Sequence, residues 1–392
     1  MPARAALLVL NAGSSSLKFA AYTLDSAIPQ ERIAGQVEGI GARARFTAHD
    51  ATGTKLATET LPEPATHAAA VAAVISLLER RLAAARVIAV GHRVVHGGPH
   101  HAAPAQIGSA LLADLQSLIP LAPLHQPHNL AGIDAAMAHF PDVPHIACFD
   151  TAFHRTQPWE AETFALPPEF YEQGIRRYGF HGLSYEFIAR TLAAQHPDLA
   201  AGRVIAAHLG NGASLCAMQA GRSIATTMGF TALDGVPMGT RTGSIDPGVI
   251  LHLLGTMGMS LAEVTRLLYS GSGLKGMSGI SQDVREIEAA GTEQASRALS
   301  HFAWRVRREI GALAACLGGL DALVFTAGIG EHSAPLRAAI CENLAFLGIT
   351  LDPARNAANA PTISADGTTP VLVRHTDEER MMALHVLEVL AA

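Results

Sequence analysis

Three apolar runs of this 392-residue chain each break off into a turn of glycine and small polar residues. They are "LVLNAGSSSLKFAAY" at 8–22, "HLGNGASL" at 208–215 and "FTAGIGEHS" at 325–333. Reversing a chain between two strands needs little more than Asn-Gly or Pro-Gly. Here Gly13 is followed by three serines and then Lys18. Such a turn directs several backbone N–H groups and hydroxyls at one point, which suits a phosphate, and a lysine beyond it adds charge. One such turn is most simply a hairpin. Three, each leaving an apolar strand, ask for more than hairpin geometry.

The segments around these turns alternate between two periods. Strand character at 7–10 and 17–23 is followed by "HAAAVAAVISLLERRLAAAR" (67–86), where Val71, Val74, Ile75, Leu78 and Leu82 share one helical face. "VIAVGH" (87–92) and "HIACFDT" (145–151) read as buried parallel strands. The stretch 293–319 places Leu299, Phe302, Val306, Ile310 and Leu313 on one helical face and stops at Gly318 and Gly319. Strand "ALVFT" (322–326), the glycine turn "AGIGEHS" and a helix from about Ala334 complete the pattern. Strands alternating with helices predict an α/β fold. Laying Leu10–Leu17 over His208–Leu215 matches Ser16 to Ser214 and Leu17 to Leu215, at an offset near half the chain. Duplication would account for the length, although so short a match also arises by chance.

Composition bounds the partners. Hydrophobic residues make up 49% and charged residues 16%, as in a compact soluble protein, and the length suffices for two domains. A net charge of −6 argues against nucleic acid or an anionic membrane as the main partner. The apolar run after Arg4 is too short for a signal peptide's core, and nothing reaches the ~18 apolar residues of a span. Cys148, Cys216, Cys316 and Cys341 are widely spaced without a metal pattern, and Cys148 and Cys216 read as buried free thiols. A cytoplasmic protein is expected.

Few charges interrupt the apolar stretches. Arg93 in "GHRVVHGG" and Arg241 in "MGTRTGSIDPG" lie among small residues, which lets an anion approach the guanidinium; a structural ion pair is an equal alternative. Asp150 ends the strand in "CFDTAFH", at the edge where α/β proteins bind ligands. In "TDEERMMAL" (376–384), Asp377, Glu378 and Glu379 suit a helix N-terminus through the dipole alone. Among nineteen histidines, His96, His100 and His101 cluster without zinc spacing, whereas His181 and His208 are flanked by glycines in apolar settings. P-loop, dinucleotide, hydrolase-elbow and zinc-protease motifs are absent.

Taken in order, "LVLNAGSSSLKFA", "GHRVVHGG", "PLAPLH", "FDTAFH", "RRYGFHGLSYEFIA", "HLGNGAS", "MGTRTGSIDPG" and "FTAGIGEH" resemble the acetate kinase family of the sugar kinase/Hsp70/actin superfamily. The resemblance spans essentially the whole chain. It implies two domains of duplicated βββαβαβα topology (actin-like ATPase, ribonuclease H-like), residues 1–151 with about 377–392 and residues 152–376. It also implies an active site in the cleft between the domains, and a homodimer. The activity implied is reversible, Mg²⁺-dependent in-line transfer from ATP to acetate, with ADP as the other product and Mn²⁺ as a substitute metal.

By the same resemblance, Asn11 and the serines meet phosphate and metal, Glu378 is metal-linked, and Lys18 serves the nucleotide. His208, Leu209, Gly210, Asn211 and Gly212 form a second phosphate loop. Asp283, Val284, Arg285 and the run Gly328, Ile329, Gly330, Glu331 and His332 border the adenosine. Arg93, Asp150, His181 and Arg241 match the catalytic set: Arg93 for the carboxylate, Arg241 with His181 for the transferring group, and Asp150 for organising the metal or its water. Val95, Leu124, Phe180 and Ala232 are expected to form the acyl pocket.

The chain departs from the family pattern at Leu183 and Tyr185 (for Thr and His), at Ser244 (for an acid) and at His332 (for Asn). Ala232 replaces a pocket proline, and Asp234 stands where "FTPLEG" has a glutamate. One methylene is worth only ~1–3 kcal/mol, so propionate or butyrate remains open as the acid. A nucleotide-binding regulator without transfer activity is the alternative of another class, and a hydroxyl kinase is weaker still. A regulator would lose the substrate arginines, yet both Arg93 and Arg241 are present.

Overall fold

The computed structural model describes residues 4–25, 28–82, 85–123 and 125–392. They group into two compact units, Met1–Phe153 with Asp377–Ala392, and His154–Thr376.

In the first unit, strands β1 (Arg4–Ala12), β2 (Ser16–Thr23), β3 (Gln30–Glu38), β4 (Arg45–Asp50), β5 (Lys55–Thr60), β6 (Ala85–Val94), β7 (Ala105–Gln106) and β8 (His145–Phe149) form one sheet of order β5-β4-β3-β2-β1-β6-β8-β7. β1, β6 and β8 run parallel, while β2 and β3 are antiparallel to their neighbours. Alternation along the strands then sorts the side chains onto two faces. Leu8, Leu10 and Ala12 pack with Val71, Val74 and Leu78 of helix His67–Arg81. Val94, Ala147 and Phe149 pack with Leu115, Leu130 and Ile133 of the helices Ser109–Ser117 and Gln126–His139.

The opposite face carries Val9 and Asn11, Gly91 and Arg93, and Cys148 and Asp150. It is covered by helix Glu378–Ala391, whose Met381, Met382 and Val386 are buried. A Cβ on Gly91 would lie 2.8 Å from Val386, so only glycine lets that helix sit so close. Asn11, Arg93 and Asp150 therefore reach the same edge of the same face, beneath the helix N-terminus.

In the second unit, β9 (Arg203–Leu209), β10 (Ala213–Gln219), β11 (Arg222–Thr226), β12 (Ala322–Thr326) and β13 (Val371–Val373) pair in the order β11-β10-β9-β12-β13. The order and senses repeat those of β3-β2-β1-β6-β8, with three antiparallel strands followed by parallel additions. The α/β class and the duplicated topology are those expected. Helix Glu293–Leu317 packs on β10 and β11, burying Phe302, Val306 and Ile310, and ends at left-handed Gly318.

The structure differs from the sequence-based expectation at four places. Helix His67–Arg81 stops before 86, because residues from Ala85 extend β6. Leu299 is only half-buried, its place taken by Ala295 and Ala298, which let the helix approach the sheet. "AGIGEHS" is not a turn: Ala327–His332 is a short helix leaving β12. Finally, Ala12 pairs with Leu17 across residues 13–16, but Leu209 pairs with Ala213 across 210–212. Laying Leu10 on His208 thus puts Ala12 inside the second turn, and the Ser16–Ser214 match is not the structural equivalence. All four cysteines are free, and Cys148 and Cys216 are buried as expected. No helix of the described residues is long and apolar enough to cross a membrane.

Candidate active site

At the edge of the first sheet, Arg93 Nε donates to both Asp150 oxygens at 3.0 and 3.1 Å, and Nη2 donates to Oδ2 at 2.6 Å. Its Nη1 donates to Asn11 Oδ1 at 3.1 Å, and Glu378 Oε2 lies 4.0 Å from Nε. Burial works against the Arg93 charge, but Asp150 and Glu378 outweigh it and hold its pKa above the usual range. Burial also pushes the Asp150 carboxyl up, against the pull of Arg93.

Asn11 Nδ2 donates to Glu379 at 3.4 Å, and burial followed by the nearby Glu378 raises the Glu379 carboxyl. Lys18, exposed and in register with Asn11, pulls that carboxyl back down. The N-cap itself is Asp377, which accepts from Arg380 N at 2.8 Å, so Glu378 and Glu379 are not needed for capping. The sequence reading placed Glu379 only at the helix dipole and gave it no part in the site; its one further signal was adjacency to Glu378.

Asn129 braces this edge, accepting from Val95 N at 2.9 Å and donating to Ala12 O at 2.6 Å. Val95 is buried just beyond β6, and Leu124 lies outside the described residues. Gly13 N closes its turn on Ser16 O at 2.8 Å, leaving Ser14 and Ser15 exposed.

In the second unit, His181 is left-handed (φ 60°) at the N-cap of helix Gly182–Gln195. Its ring stacks on His208 with centroids 4.2 Å apart at 18°. Gly179 and Phe180 before it are held by buried His154, whose Nε2 donates to Phe180 O at 2.9 Å while Nδ1 faces Ser223 Oγ at 2.9 Å. Burial lowers the His154 pKa to about 4, so the ring is neutral.

Both imidazoles border the 210–212 turn, since a Cβ on Gly212 would stand 3.1 Å from His181 Nε2 and one on Gly210 3.9 Å from His208 Nε2. Asn211 O in turn accepts from Gly239 N at 3.0 Å, which ties the Arg241 loop to the turn. That loop is fastened from behind by Ser272, Leu274 and Lys275 amides on the carbonyls of Thr240, Met238 and Gly239. Gly273 sits in this contact at φ +62°, where a Cβ would fall 2.1 Å from Met238 O. Arg241 Nη1 donates to Ala232 O at 2.9 Å. The Ala232 segment is anchored by Asp234, which accepts from Arg177 at 2.7 Å and from Ser244 Oγ at 2.6 Å. Burial raises the Asp234 carboxyl, but these two donors outweigh it and leave it below the usual range. Ser244 thus supplies a donor where the resemblance leads to an acid.

A cavity of about 490 Å³ opens beside the turn, lined by Gly210 and Asn211, by Gln282–Arg285 and Glu288, and by Gly328, Ile329, His332 and Ser333. Asp283, Val284 and Arg285 reach it as expected, with Asp283 capping helix Val284–Ala290 and paired to Arg285 at 2.5 Å. Of the other expected nucleotide residues, Leu209 and Gly330 are buried, and Glu331 Oε2 faces His375 Nδ1 at 3.0 Å. Gln282, Glu288 and Ser333 went unnoticed in the sequence; Glu288 lies one helical turn beyond Val284 and bonds Ser333 at 2.7 Å. Among the described residues no group of three or more His, Cys, Asp and Glu side chains is arranged to hold a metal ion.

Residues 6–384 match the model of the acetokinase family. The chain is 50% identical to an acetate kinase of Methylocella silvestris, over 98% of both chains. Among solved structures it is similar to a propionate kinase from Francisella tularensis (TM-score 0.91, 35% identity, 97% of this chain and 98% of that one). It is also similar to Porphyromonas gingivalis acetate kinase (TM-score 0.89, 35% identity, 98% and 100%). The chain belongs to the acetokinase family.

Proposed function

We propose that this chain transfers the γ-phosphoryl group of ATP to acetate, reversibly, giving ADP and acetyl phosphate. The observation that carries the reading is near-complete alignment at 50% identity with a protein named acetate kinase, with both Arg93 and Arg241 present.

A carboxylate is already ionised at neutral pH, so no base is needed to activate it. The difficulty is bringing two anions together in line while charge spreads over the phosphoryl oxygens. Arg93, held rigidly by Asp150, orients the acid; Arg241 and His181 stabilise the transferring group; and His208 with the 210–212 turn holds the nucleotide phosphates. The cavity of about 490 Å³ takes the adenosine. Lys18 adds charge beside Asn11. Val95, Phe180 and Ala232 bound the acyl group.

The all-oxygen donors Asn11 and Glu378, joined by Glu379, suit Mg²⁺, which takes one or two carboxylates and completes its shell with water and phosphate oxygens. When bound, Mg²⁺ neutralises charge on the phosphate oxygens. In this reading Asp150 would order a water of the metal as well as Arg93, and the two units are the two domains of the enzyme.

Propionate is the second reading, favoured by Ala232 in place of a pocket proline and by likeness to a protein named propionate kinase. Trapping acyl phosphates as hydroxamates with MgATP and acetate, propionate, butyrate or glycerol decides between them through kcat/KM. Product from no acid, with ATP demonstrably bound, would sink both.

A cytoplasmic homodimer belongs to the same proposal. It is supported by helix Pro247–Gly255, which buries none of its residues although it carries Val249 and Leu251, the latter 70% exposed. Sedimentation equilibrium returning the 41.0 kDa monomer mass would remove the dimer.

A further inference from the structure

Each of the two stacked imidazoles leans on a serine, and each serine on one further hydroxyl. Ser214 Oγ lies 2.8 Å from His181 Nδ1 and 2.6 Å from the Tyr185 hydroxyl. Ser184 Oγ lies 2.8 Å from His208 Nδ1 and accepts from Thr376 Oγ1 at 2.8 Å. Tyr185, Ser184 and Ser214 are all fully buried. A buried donor left without an acceptor costs roughly 1–3 kcal/mol, so the proton count in each chain has one inexpensive solution.

Ser214 Oγ is the acceptor within reach of the Tyr185 proton among the described residues, so the phenol donates to it. Ser214 must then send its own proton to His181 Nδ1. The reverse arrangement, with His181 donating, would orphan the serine proton. In the other chain Thr376 donates to Ser184, and Ser184 donates to His208 Nδ1. With both Nδ1 atoms accepting, both ring protons sit on Nε2, the atoms that border the 210–212 turn.

We propose that Tyr185 and Thr376 are positioning residues that, through Ser214 and Ser184, hold His181 and His208 as neutral Nε2–H rings offering two parallel donors to a phosphoryl oxygen at the turn. This rests on reading the turn as a phosphate site. It also accounts for Tyr185 standing where the family pattern has a histidine: the position must supply a donor to Ser214.

The test is long-range ¹⁵N–¹H correlation of the imidazoles in the full chain, labelled at histidine, without substrate. The wild type should show both rings as Nε2–H tautomers. Tyr185→Phe should turn His181 into a tautomer mixture and leave His208 unchanged; Thr376→Val should do the converse. In steady-state kinetics, Tyr185→Phe should lower kcat on the order of ten-fold with KM for ATP within about two-fold, and Tyr185→His should recover most of the loss. A wild-type His181 found as Nδ1–H overturns the proposal whether or not any variant folds. So does a Tyr185→Phe protein with unchanged tautomer and kcat. An Nε2–H pair in a protein that makes no acyl phosphate would overturn the functional reading and leave the relay standing.

Discussion

Replacing Asp150 with Ala should destabilise the protein by about 3–5 kcal/mol, and replacing Arg93 with Met should cost at least as much, while the double variant recovers most of either loss. Asp150 is buried, its side chain only 2% exposed, and the half-buried Arg93 binds both of its oxygens. Removing Arg93 strands the Asp150 charge away from water and removing Asp150 leaves Arg93 with Glu378 alone as an ion-pair partner, whereas removing both takes away each side chain together with its main partner.

The two single variants should differ, because Arg93 also faces Glu378 at 4.0 Å and Asn11 at 3.1 Å. Without the guanidinium, Asp150 and Glu378 repel each other; without Asp150, Arg93 still has Glu378. Arg93→Met should therefore be the more damaging. Urea unfolding at pH 7 measures all four corners of the cycle. Additive losses would mean that the two side chains do not act as a pair, and the account of this edge would fall.

Acid should destabilise the protein well above the carboxylate range. His92, His96 and His154 are buried, and burial lowers their pKa values to about 3, 4 and 4 from an ordinary 6.5. The charge of His145, whose ring lies 2.9 Å away, lowers His92 further. Unfolding frees each ring to take a proton. Between pH 6.5 and about 4 the unfolded chain thus binds more protons than the folded one, and stability falls as pH falls.

Three such groups give a slope near 4 kcal/mol per pH unit around pH 5, against which the raised carboxyls of Glu31 and Glu379 work lower in the range. Unfolding midpoints and proton uptake from pH 7 to 5 report this directly. His154→Gln, which keeps a donor for Phe180 O, should reduce the uptake by about one proton. A stability flat across that range would refute the prediction.

Much of the architecture was legible because it is written in local periodicity. Helix Glu293–Leu317 showed its apolar face, its end at Gly318 and the strand that follows it. Arg93 and Arg241 stood out because small residues around a guanidinium are unusual. The short helix Ala327–His332 was hidden, since two glycines in six residues carry almost no helical signal. The N-terminal acids of the last helix were equally ambiguous. Three neighbouring carboxyls suit a dipole alike, and only the cap made by Asp377 shows which one is engaged locally.

What the sequence determined by itself was the set of elements, their α/β alternation and the residue types able to handle an anion, because each depends on neighbours a few positions away. What only the tertiary structure decided was partnership. Arg93 meets Asn11 and Asp150 across 82 and 57 positions, and His181 is keyed to Tyr185 through a serine 33 positions on. Those meetings follow from the register of parallel strands and from which face the covering helix occupies. Both are set by packing between segments distant in the chain, and a buried polar group then takes whichever partner that packing brings within hydrogen-bond reach.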